Sequence, residues 1–333
     1  MSLLHIENLK TYYRTSKGLV QAVDGVSIDV RKGEIVGLAG ESGCGKTTVL
    51  NSIVRVLQKN AEIKGGRIFY NGRNLLELNE KKMQKIRWKE ISVIPQSAMD
   101  ALDPVMRIEN QFIMVAKTDE RNKPRKKISE RAEELFSLVG LNKSRLKEYP
   151  HQFSGGMKQR AIIALSLFFA PNMILMDEPV TALDVIVQNQ ILNYIKKLQH
   201  SMDISILIVT HDISVLAKIC DHIYIMYGGK IMEVAGTNEL FNNPLHPYTI
   251  GLQKSFPHLF GSERKLISIP GYPPSLLDPP PGCRFEGRCP FAIPECRREN
   301  PQMEKAKDGH YVACYLYQKI GKLREKAFLG VSN

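Results

Sequence analysis

Cysteine is scarce in this chain, six among 333 residues, and that scarcity excludes a disulfide-stapled scaffold. Long apolar runs are missing too. The longest, Ala161 to Met176, is interrupted by Pro171 and Asn172 and is too short to span a bilayer. The opening MSLLHIENLKTYYR carries charge from His5 onward and has no apolar leader core, so no signal peptide is expected and the chain reads as soluble and cytosolic. No internal repeat and no sustained heptad pattern stand out, which excludes solenoids and long coiled coils. Acidic residues are outnumbered 34 to 46, a net charge of +12 that raises the question of nucleic acid or a membrane surface. The basic residues are scattered, however. Their one dense cluster, RNKPRKK at 121–127, reads as a solvated loop, and no recognised nucleic-acid motif accompanies it.

What is present is an ordinary globular composition, at a length that suits one large domain plus an appendage, or two domains. The first 95 residues read as strands broken by turns: LLHIENLKTYY and VQAVDGVSIDV alternate, and RKGE turns into the apolar IVGLAG. A glycine-rich loop follows, and then a helix from about Lys46 to Gln58. From Ala98 to Ala170 the pattern is helical, with Ile128, Ala132, Leu135, Phe136 and Val139 on one face. MILMDE and ISILIVTH are continuously apolar, as strands buried on both faces should be. The helical VIVQNQILNYIKKLQ lies between them, a βαβ pattern. After about Asn243 the character shifts to NPLHPYT and the proline-dense PGYPPSLLDPPPG.

GESGCGKTT at 40–48 follows an apolar strand and opens a helix, the context a phosphate-binding loop requires. Gly40, Gly43 and Gly45 let backbone N–H groups approach phosphate oxygens, and the helix N-terminus adds its positive end. Lys46 suits the β and γ phosphates, and the Thr47 hydroxyl suits Mg²⁺. In MILMDEP, Asp177 ends a buried strand and suits water-mediated Mg²⁺ binding, while Glu178 stands where it could polarise an attacking water. Alone, such an acidic pair would be an ordinary surface feature after a strand.

It does not stand alone. FSGGMKQR at 153–160 precedes it, TALD at 181–184 follows it, His211 ends ISILIVTHD and Gln96 ends ISVIPQ. In this order and spacing, residues 1 to about 240 resemble the ATP-binding-cassette ATPases. FSGG stands where LSGG is commoner, and MKQ where QQQ is; Ser154, Gly155 and Gly156 are intact. The resemblance implies a P-loop ABC ATPase fold of α/β class. That fold has a RecA-like mixed-sheet core, an antiparallel β subdomain and a helical subdomain, here joined to a small C-terminal cysteine-rich extension. It implies that ATP is held by Gly40, Ser42, Gly43, Cys44, Gly45, Lys46, Thr47 and Thr48. The adenine would stack on Tyr13, which fits the register better than Tyr12. Mg²⁺ would be held through Thr47, Gln96 and Asp177. Glu178, His211 and Gln96 would be catalytic, with Gln96 reporting to a membrane partner. Ser154, Gly155 and Gly156 would contact the γ-phosphate held by a second subunit, and Asp184 would organise the dimer seam.

Only 130 residues separate Lys46 from Asp177, too few for the coiled coils of chromosome-type relatives. NPLHPYT, the proline-rich segment and a cysteine cluster resemble the C-terminal extension of the oligopeptide/dipeptide importer ATPases. The division implied is a nucleotide-binding domain at 1–243, with its helical subdomain at about 98–170, and an extension at 244–333. The resemblance implies an ATPase at the inner face of the cell membrane. It would drive transmembrane permease subunits, pair with a related second ATPase or itself, and be served indirectly by an extracellular solute-binding protein. The competing reading is a soluble cassette ATPase acting on nucleic acid, with the cysteine cluster as grip or sensor.

The tail gathers Cys283, Cys289, Cys296 and Cys314 as C-x5-C-x6-C and then, after 17 intervening residues, a fourth cysteine. A reducing cytosol disfavours disulfides there, and four unrelated buried thiols is the plain alternative. Zn²⁺ usually takes tighter C-x2-4-C knuckles. A 4Fe-4S cluster accepts wider spacing, and Pro290 follows Cys289 as a proline follows a ferredoxin ligand. The expectation is therefore a 4Fe-4S cluster in preference to Zn²⁺, with a structural or redox-sensing role, its charge offset by Arg284, Arg288, Arg297 and Arg298.

Overall fold

The computed structural model describes residues 2–118, 124–255 and 268–323. The chain divides into two compact units, Met1–Glu77 with Val209–Asn333, and Leu78–Ile208. Among the described residues no helix is long and apolar enough to cross a membrane.

The first unit holds an antiparallel sheet of four strands in the order Gly18–Arg31, Ser2–Thr15, Ala61–Tyr70, Arg73–Asn74. Val26, Ile28 and Val30 point inward while Ser27, Asp29 and Arg31 point to solvent, the period of two that VSIDV predicts. A second set of strands runs Glu304–Lys307, His310–Val312, Lys230–Gly236, His222–Tyr227, Ile35–Ala39. Ile35–Ala39 is buried at every residue and pairs in parallel with His222–Tyr227, as its unbroken apolar run requires. The strands Glu304–Lys307 and His310–Val312, near the C-terminus, therefore extend one edge of this sheet, with Glu233 opposite Val312 and Val234 opposite Tyr311. The helix Lys46–Ile53 is shorter than the predicted span to Gln58. Arg55 turns left-handed (φ 54°) and its guanidinium donates to the Leu75 carbonyl at 3.1 Å, so the chain leaves the helix although its apolar spacing continues.

The second unit contains the helices Ile108–Ala116, Arg125–Leu138, Gly155–Ser166 and Val185–Met202. It also contains the parallel strands Ile91–Ile94 and Met173–Asp177. Ile128, Ala132, Leu135, Phe136 and Val139 are all buried, and Phe112 packs against Phe136 and Phe168. The basic run is not simply a loop. Residues 121–123 lie outside the described residues, but Arg125–Lys127 form the first turn of a helix whose start is set by Pro124.

Candidate functional site

In the first unit, the strand Ile35–Ala39 delivers the chain into GESGCGKTT, and the helix Lys46–Ile53 carries it away. Gly45 is the N-cap of that helix at φ 108°, and a side chain there would meet the Ala22 carbonyl at 2.0 Å, so only glycine fits. Ser42, Gly43 and Thr47 are exposed. Lys46 is buried and folds back, donating to the carbonyls of Gly40 (2.7 Å) and Glu41 (3.0 Å). Cys44 turns inward, and burial pushes its thiol up. Tyr13 lies beside this helix, its hydroxyl 3.1 Å from that of Thr48. Tyr12 does not. It donates to Asp24 at 2.9 Å, and burial followed by that carboxylate pushes its phenol up to about 12. His211 follows the strand Ser205–Thr210 and is exposed, just before Asp212 caps the helix Ile213–Ile219.

In the second unit, Met173–Asp177 ends at the buried carboxylates of Asp177 and Glu178. Glu178 is left-handed (φ 48°), a strained backbone for a residue with a side chain. The Thr181 hydroxyl donates to its Oε2 at 2.9 Å, and the Gln96 amide stands 3.5 Å from the same oxygen. Gln96 and Glu178, 82 residues apart in sequence, are thus brought together. Ser154 caps the helix Gly155–Ser166 by accepting the Met157 N–H, and Asp184 caps Val185–Met202 by accepting the Val187 N–H at 2.9 Å. The two helix starts are close neighbours, because a side chain at Gly156 would meet Val187 Cγ1 at 2.5 Å. Beside Asp184, Val185 and Ile186 are 68% and 72% exposed.

Cys283, Cys289, Cys296 and Cys314 all line one cavity, together with His246, Phe285 and Phe291. The Cys283 N–H donates to the Cys296 carbonyl at 2.7 Å, which holds the first and third cysteine turns together. All four are free thiols, and burial raises Cys283 to about 11 and Cys289 and Cys314 to about 12. Among the described residues, no group of three or more His, Cys, Asp or Glu side chains is arranged to hold a metal ion.

Three of the four arginines expected to offset a cluster are engaged elsewhere. Arg284 pairs with Asp24 at 2.8 Å, Arg288 with Glu41 at 2.7 Å and Arg297 with Glu286 at 2.7 Å. Carboxylates more than 200 residues away compete successfully for two of these guanidinium groups, and such pairing leaves no local trace in sequence. Sequence reasoning also missed Thr181, although TALD contains it, and Tyr248, whose hydroxyl accepts the Glu41 N–H at 2.9 Å.

Comparison with known proteins bears on the whole chain. A family profile described as ABC transporter matches residues 23–181, and one described as the C-terminal region of oligopeptide/dipeptide transporters matches residues 232–296. The dipeptide transport ATP-binding protein DppD of Caldanaerobacter subterraneus subsp. tengcongensis is 39% identical over 95% of this chain and 98% of its own length. DppD of Bacillus subtilis is 42% identical over 94% of each chain. Among solved structures, the dimer of MJ0796, a bacterial ABC transporter cassette, is 26% identical with a TM-score of 0.63, over 70% of this chain and 98% of its own. The fold is that of the P-loop ABC ATPase cassette, with mixed α/β sheets. With identity of this order along nearly its whole length, the chain belongs to the ATP-binding proteins of ABC transporters, in their oligopeptide/dipeptide branch.

Proposed function

We infer that this protein is the ATP-hydrolysing subunit of an importer for dipeptides or oligopeptides. The observation that carries this reading is the near-full-length similarity to dipeptide transport ATP-binding proteins, tail included. No comparison favours nucleic acid, and that alternative is set aside.

The site chemistry follows from the residues. Backbone N–H groups of the glycine-rich loop and the start of the helix Lys46–Ile53 form an anion site for the triphosphate, and Lys46 leaves its carbonyl partners to meet the phosphates. Thr47, Asp177 and Gln96 supply the hard oxygen donors that suit Mg²⁺, which would neutralise phosphate charge. Glu178 takes up a proton from the attacking water while Thr181 and Gln96 orient its carboxylate. His211 steadies the γ-phosphate, and Tyr13 stacks on the base. Ser154, Gly155 and Gly156 open a helix, and so form a second anion site, for a nucleotide bound by the partner ATPase. The exposed apolar pair Val185 and Ile186 beside Asp184 supports a dimer seam at that helix start.

The partners in this reading are two transmembrane permease subunits, a related second ATPase, and indirectly an extracellular solute-binding protein, with the ATPase on the inner membrane face. Residues 1–243 act as the cassette, with the helical part at about 98–170, and 244–333 as its extension. What supports the 4Fe-4S reading of the tail is that the four cysteines line one cavity and are the donor type such a cluster takes. As they stand, no three of them are arranged to hold a metal ion, so the reading requires the cysteine turns to draw together around the cluster. Reconstituting the complex with its co-purified permease subunits, then measuring phosphate release against peptide-loaded binding protein, tests the function. Stimulation by peptide is expected; phosphate release indifferent to every peptide tried refutes it.

A further inference from the structure

We propose that Arg288 is a positioning residue for the phosphate loop, and that through it the cysteine-bearing extension sets nucleotide affinity in its own cassette. The inference rests on the reading of GESGCGKTT as the ATP site and adds a residue that lies 240 positions beyond it.

Arg288 ends a single helical turn, Glu286–Arg288, between Cys283 and Cys289. Its side chain is 8% exposed, and its donors are spent on four partners. Nε donates to the Pro270 carbonyl at 2.8 Å and Nη2 to the Ile269 carbonyl at 3.1 Å. Nη1 donates to the Glu41 carboxylate at 2.7 Å and to the Tyr227 hydroxyl at 3.1 Å. The guanidinium also lies over the Tyr227 ring, 5.7 Å from its centroid. A fork held in this way has one orientation, unlike a surface arginine with many rotamers.

Glu41 is the second residue of the phosphate loop, and three of its groups are held. Its carboxylate is held by Arg288, its N–H by the Tyr248 hydroxyl at 2.9 Å, and its carbonyl by Lys46 Nζ at 3.0 Å. Tyr248 and Tyr227 lean on each other, ring centroids 4.6 Å apart, and both pack against Phe285 of the cysteine turn. One end of the loop is therefore seated on the extension. There is also an electrostatic requirement. A carboxylate in a loop that must accept a triphosphate works against binding unless a cation neutralises it. Arg288 supplies that cation and turns the carboxylate aside. When Arg288 moves with the neighbouring cysteine turn, the loop loses both its anchor and its charge compensation.

The test is equilibrium titration of the purified full chain with Mg-ATP, with thermal midpoint and iron content recorded for each variant. Arg288→Ala is expected to weaken ATP binding on the order of tenfold, the size of a lost charge-assisted pair. Arg288→Lys keeps the charge without the fork and is expected to fall between. The decisive variant is the double one. In Arg288→Ala/Glu41→Gln no uncompensated carboxylate remains, and most of the lost affinity should return. A merely structural role for Arg288 would show no such rescue. Wild-type affinity in Arg288→Ala, or a loss that Glu41→Gln leaves untouched, overturns the proposal. Lys46→Ala serves as the reference: if it too binds ATP normally, the reading of the loop itself has failed, and this inference with it.

Discussion

His246, the first residue of the HPY triplet, should make this protein acid-labile in a way that one substitution removes. Its side chain is 1% exposed and its Nδ1 accepts the Tyr248 N–H at 3.0 Å, capping the helix Pro247–Lys254. Only the neutral ring can accept that bond, because both nitrogens of the imidazolium are donors. Burial accordingly lowers its pKa from 6.5 to about 3. The sign follows. As pH falls below 6.5, the unfolded chain takes up a proton that the folded one refuses, so stability is lost on acidification through the window from 6.5 down to about 3. At about 1.4 kcal/mol per pH unit, roughly 2 kcal/mol should be gone by pH 5, an order-of-magnitude figure. His246→Asn retains a capping carbonyl but cannot titrate; its smaller volume costs something at every pH alike. Urea unfolding of both proteins from pH 7.5 to 5 should show the wild type losing about 2 kcal/mol more than the variant. Parallel stability curves across that range would refute the reasoning, since the capping role requires a ring that stays unprotonated.

Three further outcomes follow from the site. Glu178→Gln should still bind ATP yet release phosphate at least about a hundredfold more slowly, measured under saturating ATP, because amides cannot take the proton. Tyr13→Ala should cost roughly 1–2 kcal/mol of ATP affinity by titration, the usual loss for a base-stacking aromatic, whereas Tyr12→Phe should leave affinity alone because the Tyr12 hydroxyl serves Asp24. Anaerobically purified protein should be brown, with about four irons and four sulfides per chain. Serine at Cys283, Cys289, Cys296 or Cys314 should bleach it while Cys44→Ser and Cys220→Ser do not, and colourless protein with stoichiometric zinc counts against the cluster.

Much of this was legible because the relevant physics is local. The alternation Val26, Ile28, Val30 announces its strand, and the buried face of Arg125–Leu138 is written in its spacing. Ser154 and Asp184 are capping residue types placed just before helical runs, so two helix starts could be read at the residue. The end of Lys46–Ile53 could not, because Arg55 leaves the helix for a carbonyl offered by Leu75, twenty positions on. The pairs Arg284–Asp24 and Arg288–Glu41 span 260 and 247 residues, and no window along the chain contains both members. In the sequence the arginines stand only as neighbours of cysteines; that they reach the opposite end of the chain depends on how residues 283–297 fold back.

One residue does carry that information in a form the sequence could have yielded. KIMEVAG reads as a buried strand interrupted by an acid, and Glu233 is indeed fully buried. A carboxylate in such a place is costly unless every oxygen is satisfied. Its partners are the N–H groups of Leu245 (2.7 Å) and His246 (2.9 Å) and the ring of His310 (2.7 Å), itself fully buried. Two of the three come from the HPY segment and the third from the strand His310–Val312, so all lie beyond the strand that carries the acid. A chain cut near Asn243 would leave this carboxylate with no donor from either source. Glu233 is therefore a local violation that becomes favourable only once Leu245, His246 and His310 have docked against it. Folding of the strand Lys230–Gly236 is thereby tied to the residues that follow it, and no donor from within the strand could replace them.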